Sequence, residues 1–490
     1  MEILEFCFGL RFFHVKNKTL MDCSLESKYW LFMRNLKNEL YNRLSEKPEP
    51  IFIFQDSLIP AATIWVGVRA WVKFFRESNL IRGDRIILSY PESPAFIHIL
   101  FASIWEKLTL IILKPNQADE DTLNLLDAKF IVTDSDLPFS IKPDGMGMPP
   151  ETKKFRSSVS QTYAEVRFIL QSSGSTGNPK FVGISEEAVF NAIQTHAKIF
   201  DSTKNTALSV LPWSHCFGLV LDLLLSTFHC EIVIRDQDSG KNLDSLIGYF
   251  KKYDITHFSS VPLLIERLLQ KGNCNGFLEK LSSGIIGGAP ISKTIASSLK
   301  NSNLSIGYGQ TEASPGICLG EKGKMFANYI GNPLGCEVKQ GVNGEFFFRG
   351  KNALIGYWNE GKIESIHKDT WIPTGDIVEE KEDGYFFVGR LDFSFKLSNG
   401  IMIQPETIEK DLKEKHKFIS NCLLLYKEEI KFFFSSYSDT NTESQIAIIH
   451  HSLPSILKKT NLKIEPLTIT EWIYSPKGEI NRKAMMEKLK

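Results

Sequence analysis

The sequence has no excess of charge of either sign and no apolar run long enough to span a bilayer. Its 57 lysine and arginine residues equal its 57 aspartate and glutamate residues, which argues against a general nucleic-acid binder. Glu2, Glu5 and Arg11 interrupt the first twenty residues, which therefore lack the basic start and apolar centre of a signal peptide. The missing long apolar run predicts that the chain has no transmembrane segment.

The cysteines are scattered, and none belongs to a Cys-x-x-Cys pair. They occupy positions 7, 23, 216, 230, 274, 318, 336 and 422. This spacing suggests neither a zinc site nor a disulfide framework. We expect buried, reduced thiols in a cytoplasmic protein.

A Walker-type phosphate loop is also missing, because that motif needs Gly-Lys-Ser/Thr opening directly into a helix. A different segment follows the apolar run 168–170, and its candidate phosphate-binding residues are Ser172, Ser173, Gly174, Ser175, Thr176, Gly177 and Lys180. Glycines allow close backbone approach to an anion, N–H groups and hydroxyls donate hydrogen bonds, and the lysine adds a cation. Glycine and serine alone predict a surface turn, whereas this order behind a strand favours a polyphosphate loop.

Length and periodicity predict an α/β fold with two or more domains. A chain of 490 residues is too long for one ordinary hydrophobic core. Strands predicted at 85–89, 108–113, 130–133 and 168–170 alternate with helices at 61–75, 94–105, 119–128 and 186–200. This alternation is typical of parallel sheets covered by helices on both faces. Ser185 is placed to cap the last of these helices, and the polar stretch 134–165 is predicted to be an exposed connection.

Two further glycine-containing segments have side chains suited to a nucleotide. Residues 285–290 contain Gly287, Gly288, Ala289 and Pro290, and a flat ring can lie against such a backbone; a strand-to-loop turn is the alternative. Residues 306–314 contain Tyr308, Gly309, Gln310, Thr311 and Glu312. The tyrosine can stack on a base, the threonine can bond a phosphate, and the glutamate can hold Mg²⁺, which needs few carboxylates besides phosphate oxygens.

Three charged or titratable residues elsewhere are weaker candidates by themselves. Asp376 follows Thr374-Gly375, and one carboxylate can accept both hydroxyl protons of a ribose diol. A solvated loop position is the alternative for Asp376 and for Arg390. His215 lies in the apolar segment 208–219, where a lone histidine is usually a core residue with satisfied hydrogen bonds.

Taken in order, these segments resemble the adenylate-forming superfamily of acyl-CoA synthetases, luciferases and peptide-synthetase adenylation domains. The resemblance covers roughly residues 25–490, and several ordered segments are far more specific than one motif match. It assigns residues 172–180 to phosphates, 287–290 and Tyr308 to adenine, Thr311 to phosphate, Glu312 to Mg²⁺, and Asp376 with Arg390 to ribose. It further matches Pro212, His215 and Gly218 to the acyl-pocket segment and Lys396 to the segment used in the second half-reaction.

The resemblance also implies a domain organisation. A large N-terminal AMP-binding (adenylation) domain, 21–391, would consist of parallel sheets flanked by helices. A small mobile α+β C-terminal domain, 392–490, would act as a lid. Residues 389–392, Gly-Arg-Leu-Asp, match the junction between the two.

The implied activity is that of an acid-thiol ligase. ATP and Mg²⁺ activate a carboxylic acid as an acyl-adenylate, and a thiol, most often that of coenzyme A, then displaces AMP. The alternative is an enzyme that loads an amino or aryl acid onto the phosphopantetheine of an acyl carrier protein. Peptide-synthetase domains carry an aspartate near the start of the His215 segment, and its absence here favours an acid lacking an α-amine. The 404–406 stretch and the chain length are similar to those of o-succinylbenzoate–CoA ligases.

One position departs from the family pattern Pro-x-Gly-Lys-x-x-Arg. The chain ends Pro476-Lys477-Gly478-Glu479-Ile480-Asn481-Arg482 before its last residues, so Glu479 stands where the family has a lysine. In the family that lysine bridges the substrate carboxylate and the α-phosphate. A third hypothesis is therefore a homologue that binds nucleotide or acyl-adenylate but adenylates poorly.

Overall fold

The structure is a computed structural model, and it describes most of the chain. The described ranges are 35–45, 50–151, 155–156, 163–172, 180–201, 204–272, 275–359, 361–397, 399, 401–426, 429–437, 442–474 and 480–489. Two short strands that pair with each other, His14–Val15 and Lys18–Thr19, are described as well.

The first large sheet contains the strands predicted from the alternating pattern. In spatial order they are Lys362–Ser365, Gly356–Asn359, Lys180–Ser185, Val166–Ser172, Thr109–Ile112, Arg85–Ser89, Ile131–Thr133 and Ser140–Ile141. The strands from Val166–Ser172 to Ser140–Ile141 are parallel, and the other pairs are antiparallel. Ile86 and Leu88 pack in one hydrophobic cluster and Ile87 in another, so both faces of this sheet are buried, as parallel strands require.

A smaller sheet and a set of helices complete this part of the fold. The sheet has the order Thr206–Ser209, Ile232–Arg235, Ile51–Phe54 and Ser57–Pro60. The helices are Leu36–Ser45, Ala61–Glu77, Pro94–Glu106, Glu120–Leu125, Glu186–His196, Leu225–His229, Leu243–Lys252, Pro262–Lys271, Asn275–Lys280 and Lys293–Ser298. The Ser185 hydroxyl accepts a hydrogen bond from the Ala188 N–H at 3.0 Å, which confirms the predicted cap.

The third sheet is mainly antiparallel and supplies most of the candidate site. Its order is Ile285–Gly287, Ser305–Gly309, Gly316–Leu319, Tyr329–Pro333, Gly384–Arg390, Ile372–Lys381, Glu345–Gly350 and Cys336–Gln340. Only the first of these pairs is parallel, among the pairs that the structure describes. The long Ile372–Lys381 and Gly384–Arg390 strands form a hairpin in which Asp376 lies opposite Arg390.

The C-terminal part has a hydrophobic cluster of its own. It consists of residues from Phe395 to Leu457 and contains no earlier residue among those described. Its elements are the strands Phe395–Lys396, Met402–Ile403, Ile419–Tyr426, Ile430–Ser436 and Lys463–Pro466, and the helices Pro405–Lys415, Thr442–Ser452, Ser455–Lys458 and Arg482–Lys488.

The predicted α/β class is confirmed, with local differences at element ends. The helix predicted for 119–128 ends at Leu125, because Asp127 adopts a positive φ of 46°. The described part of the connection 134–165 is less exposed around Gly147 than predicted, since the Gly147 carbonyl accepts a buried hydrogen bond from Trp71 Nε1 at 2.9 Å. In the part of the chain that the structure describes, no helix combines the length and apolar character needed to cross a membrane.

Candidate active site

Three strands of the third sheet bring Tyr308, Asp376 and Arg390 together, and we call these three residues the Asp376 cluster. The Tyr308 hydroxyl donates to Asp376 Oδ2 at 2.6 Å, and Arg390 Nη1 lies 2.8 Å from Asp376 Oδ1. Thr374 Oγ1 accepts a hydrogen bond from the Asp376 N–H at 3.1 Å. A carboxylate has about four acceptor positions, so these contacts leave capacity for ribose hydroxyls.

The protonation of this cluster follows from its burial. Burial raises the pKa of Asp376, while the Arg390 guanidinium and the Tyr308 hydroxyl act in the opposite direction. Burial, followed by the charge of Asp376, raises the pKa of Tyr308 well above its usual value. Burial acts to lower the pKa of Arg390, but the Asp376 and Asp392 carboxylates outweigh it and the net shift is upward. Tyr308 is therefore a hydrogen-bond donor at neutral pH.

The glycines predicted to face adenine lie beside the strand that carries Tyr308. Gly287 pairs with Gly307 in a parallel register, and a Cβ on Gly287 would lie 2.8 Å from the Gly307 carbonyl oxygen and 3.4 Å from a carbon of the Phe217 ring. Gly288 is exposed and has a φ of +87°, which favours glycine. Ala289 and Pro290 follow it at the surface.

Gly309 and the residues after it turn away from the strand toward the first sheet. A Cβ on Gly309 would lie 1.7 Å from the Pro315 carbonyl oxygen, so only glycine fits there. Gln310 precedes a short 3₁₀ turn formed by Thr311–Ala313. Thr311 and Glu312 are half-buried, and the Glu312 carbonyl accepts from the Leu354 N–H at 2.8 Å.

Lys180, Glu312 and Tyr357 form a second group, which we call the Glu312 cluster. Val182 pairs with Tyr357 in an antiparallel register, so Lys180 and Tyr357 are diagonal neighbours on one face. Lys180 Nζ lies 5.3 Å from the centre of the Tyr357 ring, and the Tyr357 hydroxyl donates to Glu312 Oε1 at 3.5 Å. Burial, then the Glu312 charge, raises the pKa of Tyr357.

The Glu312 cluster has capacity for a cation and phosphates. Tyr357 is the only side-chain partner of the Glu312 carboxylate among the described residues. Ser172, which pairs with Lys180 across the sheet, has a buried Oγ with no hydrogen-bond partner among those residues. No group of three or more His, Cys, Asp or Glu side chains among the described residues could hold a metal by itself. One carboxylate beside a lysine fits Mg²⁺ carried by a polyphosphate, because Mg²⁺ keeps few protein ligands.

A buried ionic group contacts the start of the His215 segment. It consists of Glu92, Asp222 and Arg235, and we call it the Arg235 network. His215 is half-buried, its N–H donates to the Pro212 carbonyl at 3.1 Å, and its carbonyl accepts from the Leu219 N–H at 2.8 Å. Burial, with a contribution from Glu312, raises the pKa of the neighbouring Cys216 thiol.

Several predicted site residues lie apart from these clusters or outside the described residues. Lys396 is exposed and pairs with Met402; among the described contacts, none joins it to the Asp376 or Glu312 cluster. The predicted residues Ser173, Gly174, Ser175, Thr176, Gly177 and Glu479 lie outside the described residues. Their predicted roles therefore stay predictions.

Sequence reasoning missed Tyr357 and the Arg235 network. Tyr357 follows Gly356 in an ordinary apolar strand, and only the sheet register places it beside Lys180. Glu92 and Arg235 are 143 residues apart, so no local pattern could pair them. The sequence offered one signal for a polar group at this place, namely that Glu92 follows the buried strand Arg85–Ser89.

A family model for AMP-binding enzymes matches residues 68–358 of the chain. Human long-chain-fatty-acid–CoA ligase 1 is 27% identical over 310 residues, 50% of this chain and 44% of that protein. The probable 4-coumarate–CoA ligase 3 of Dictyostelium discoideum is 30% identical over 280 residues, 52% of this chain and 50% of that protein. The chain thus spans about half the length of the curated relatives it matches.

Solved structures match over a longer stretch. o-Succinylbenzoate CoA synthetase from Bacillus subtilis, in complex with its acyl-adenylate intermediate, superposes with a TM-score of 0.76 at 18% identity, over 91% of this chain and 97% of that chain. Its complex with ATP and magnesium ion gives a TM-score of 0.76 over 92% of this chain and 99% of that chain, again at 18% identity. At this identity the likeness concerns the fold.

Proposed function

Because the chain belongs to the AMP-binding enzyme family, we propose that it activates a carboxylic acid with ATP and transfers the acyl group to a thiol. The first step joins the acid to the α-phosphate and releases pyrophosphate. In the second step, the thiol attacks the acyl carbon and AMP leaves. The observation that carries the proposal is the spacing of two clusters along one segment: Tyr308 belongs to the Asp376 cluster, and Glu312, four residues later, belongs to the Glu312 cluster.

This arrangement suits the two ends of ATP. Asp376 accepts hydrogen bonds from the ribose hydroxyls, and the Arg390 guanidinium beside it favours the ionised form of this buried carboxylate. The Tyr308 ring and the Gly287 backbone flank the base. Lys180 and Thr311 donate to phosphate oxygens, which stabilises charge that develops during phosphoryl transfer. Glu312 would hold Mg²⁺, which supplies neutralisation of phosphate charge when bound.

The acid and the acceptor rest on separate observations. The segment from Trp213 to Gly218 has no acidic residue, so no carboxylate there would pair with an α-amine, and this supports an acid without one. Relatives named as long-chain-fatty-acid and 4-coumarate CoA ligases, and the fold shared with an o-succinylbenzoate CoA synthetase, support coenzyme A as the thiol. A carrier-protein phosphopantetheine is the alternative acceptor. A cytoplasmic location is part of the same proposal.

Pyrophosphate release tests the proposal directly. The purified chain is incubated with ATP, Mg²⁺ and hexadecanoate, 4-coumarate or o-succinylbenzoate, with and without coenzyme A. We expect release with at least one acid, and a matching acyl-CoA only when coenzyme A is present. Asp376→Asn should raise the Kd for ATP roughly tenfold or more, because loss of a hydrogen bond to a charged group costs about 1.5–3 kcal/mol. Unchanged ATP affinity in that variant would refute the ribose assignment.

The second candidate function is a homologue that adenylates slowly, and Glu479 is the observation that favours it. A glutamate where the family has a lysine replaces attraction for two anions by repulsion. Losing one such electrostatic group commonly slows catalysis roughly 10²–10³-fold. Glu479→Lys should therefore accelerate pyrophosphate release with little change in the Kd for ATP. If the wild type adenylates at an ordinary rate and the variant is no faster, another residue has this role.

A further inference from the structure

The Arg235 network contacts the start of the Pro212–Gly218 segment, which we assign to binding of the acid. The members of the network are almost fully buried. The side chains of Arg235 and Asp222 are 1% and 0% exposed, and that of Glu92 is 15% exposed. Arg235 pairs with Glu92, and its Nη1 lies 3.9 Å from Asp222 Oδ2. Buried charges are costly unless they are paired and hydrogen-bonded, so a network at this position calls for an explanation.

Each of the three residues bonds to the backbone of Leu211 or Trp213, and Arg235 Nη2 also donates to Ser239 Oγ at 2.7 Å. Glu92 Oε1 accepts from the Trp213 N–H at 2.6 Å. Asp222 Oδ2 accepts from the Leu211 N–H at 3.0 Å, and Arg235 Nη1 donates to the Leu211 carbonyl at 3.0 Å.

The Trp213 side chain is held by the same group of residues. Its Nε1 donates to Ser209 Oγ at 3.1 Å, and Ser209 Oγ donates to Asp222 Oδ2 at 2.7 Å. The Arg235 guanidinium lies 5.1 Å from the centre of the indole ring. The contacts therefore fix both the chain path and the ring at the start of the Pro212–Gly218 segment.

Residues after Trp213 depend on this anchor. The His215 N–H donates back to the Pro212 carbonyl, and a Cβ on Gly218 would lie 2.0 Å from the same oxygen. Phe217 also lies close to Gly287, one of the residues predicted to face adenine. A displacement at residues 211–213 would thus move the Pro212–Gly218 segment. A misplacement of binding groups by about 1 Å can lower the reaction rate roughly 100-fold.

We propose that Glu92, Asp222 and Arg235 are positioning residues that hold the Pro212–Gly218 segment in the shape that receives the carboxylic acid. The inference rests on the proposed function for the identity of the ligand, but not for the anchoring of the segment. None of the three residues touches the proposed ATP contacts in the described part of the chain. Loss of the anchor therefore weakens the use of the acid more than it weakens ATP binding.

Two Glu92 variants and one control separate positioning from general stability. Glu92→Gln keeps an oxygen that accepts from the Trp213 N–H, whereas Glu92→Ala removes it. Asp236→Ala is the matched control. Asp236 is a buried carboxylate that directly follows Arg235 in the chain, but it accepts from the Gly240 N–H at 2.6 Å and not from Trp213. All three are compared with the wild type as full-length chains.

The first measurement needs no substrate. Hydrogen–deuterium exchange of the peptide 208–219 should be at least tenfold faster in Glu92→Ala, and close to wild type in Glu92→Gln and Asp236→Ala. The second measurement uses the probe acid, among hexadecanoate, 4-coumarate and o-succinylbenzoate, that supports the fastest pyrophosphate release. Glu92→Ala should raise the KM for that acid tenfold or more, with the Kd for ATP within twofold of wild type.

The outcomes distinguish this inference from the proposed function. Wild-type exchange in Glu92→Ala overturns the inference, whether or not any acid is adenylated. Equal losses of acid and ATP affinity in Glu92→Ala and Asp236→Ala also overturn it, because they indicate a general stability effect. If the wild type releases no pyrophosphate with any probe acid, the proposed function fails, while altered exchange still supports the anchoring role.

Discussion

At the scale of single residues, Tyr357 is the side chain whose role follows from register alone. Its ring contacts Lys180 and its hydroxyl contacts Glu312, so one residue orients both the cation and the carboxylate of the Glu312 cluster. Tyr357→Phe should raise the Mg²⁺ concentration needed for half-maximal ATP binding about fivefold, since a net hydrogen bond contributes about 1 kcal/mol. Calorimetric ATP titrations at a series of Mg²⁺ concentrations measure this.

A matched variant controls for the loss of a tyrosine hydroxyl. Tyr253 donates to Asp56 Oδ1 at 3.1 Å on the exposed surface, and Tyr253→Phe should leave the Mg²⁺ requirement unchanged. An identical requirement in wild type and Tyr357→Phe would show that Glu312 does not depend on Tyr357.

Asp222 predicts a pH dependence of stability. Burial raises the pKa of Asp222 to about 7, although Arg235 and Ser209 act in the opposite direction. A folded-state pKa above the unfolded value means that the folded chain keeps a proton that the unfolded chain has lost between about pH 4 and 7. The contribution of this group to stability is therefore present at low pH and lost as the pH rises through that window.

Asp222→Asn isolates this contribution. The amide oxygen can still accept from Ser209 and Leu211, so we expect stability near wild type at pH 5 and a relative gain as the pH rises to 8. Urea unfolding midpoints of both proteins at pH 5, 6, 7 and 8 give the difference. A difference that is constant with pH would indicate that Arg235 keeps Asp222 ionised throughout.

At the scale of elements, the turn from the Ser305–Gly309 strand into Thr311–Ala313 requires glycine. A methyl group on Gly309 would meet the Pro315 carbonyl, so Gly309→Ala should destabilise the fold by about 1–3 kcal/mol, as overpacking does, and weaken ATP binding. Gly248→Ala is the control, because a methyl group added there, in the helix Leu243–Lys252, would have no atom within 4 Å. That change should stabilise the fold by roughly 0.5–1 kcal/mol. Chemical denaturation checks both.

The elements also show what the sequence could and could not predict. The four helices and four strands predicted between residues 61 and 200 were predictable because apolar periodicity is local, whereas the strands Ser140–Ile141 and Lys180–Ser185 were not predicted. Asp376 and Arg390 were candidates because ordered motifs marked them. The antiparallel third sheet was not predicted, because six of its eight strands have six residues or fewer. Tyr357 and the Arg235 network were beyond reach, because they depend on contacts such as that between Glu92 and Arg235, 143 residues apart.

At the scale of the whole molecule, we propose that residues 21–391 and 392–490 are two domains that move relative to each other. The separate hydrophobic cluster after Phe395 supports this boundary. The described contacts across it are polar: the Arg390 N–H donates to Glu406 Oε2 at 2.7 Å, Lys410 Nζ donates to the Ile291 carbonyl at 3.2 Å, and Lys293 pairs with Glu414 at 2.6 Å. Interfaces of this polar kind are typical of domains that move.

Lys410 provides the test of that movement. Burial lowers the pKa of its ammonium group, and its contacts with Ile291 and Asn328 tie the helix Pro405–Lys415 to the larger part. Lys410→Met removes these contacts and should increase the rate of tryptic cleavage after Arg390 or Lys396 several-fold. Lys413→Met, an exposed change on the same helix that removes one tryptic site equally, should not.

Ligands should act on the same cleavage. Arg390 belongs to the Asp376 cluster and also donates to Glu406 at the start of the helix that Lys410 anchors. ATP with Mg²⁺ bound at Asp376 should therefore change the cleavage rate in wild type, and this change should be smaller in Lys410→Met, where the helix is already released. Cleavage that neither ATP nor Lys410→Met alters would indicate one rigid unit. In that case the two half-reactions would have to share a single arrangement of the small domain, and Lys396, which no described contact joins to the site, could not take part in the second.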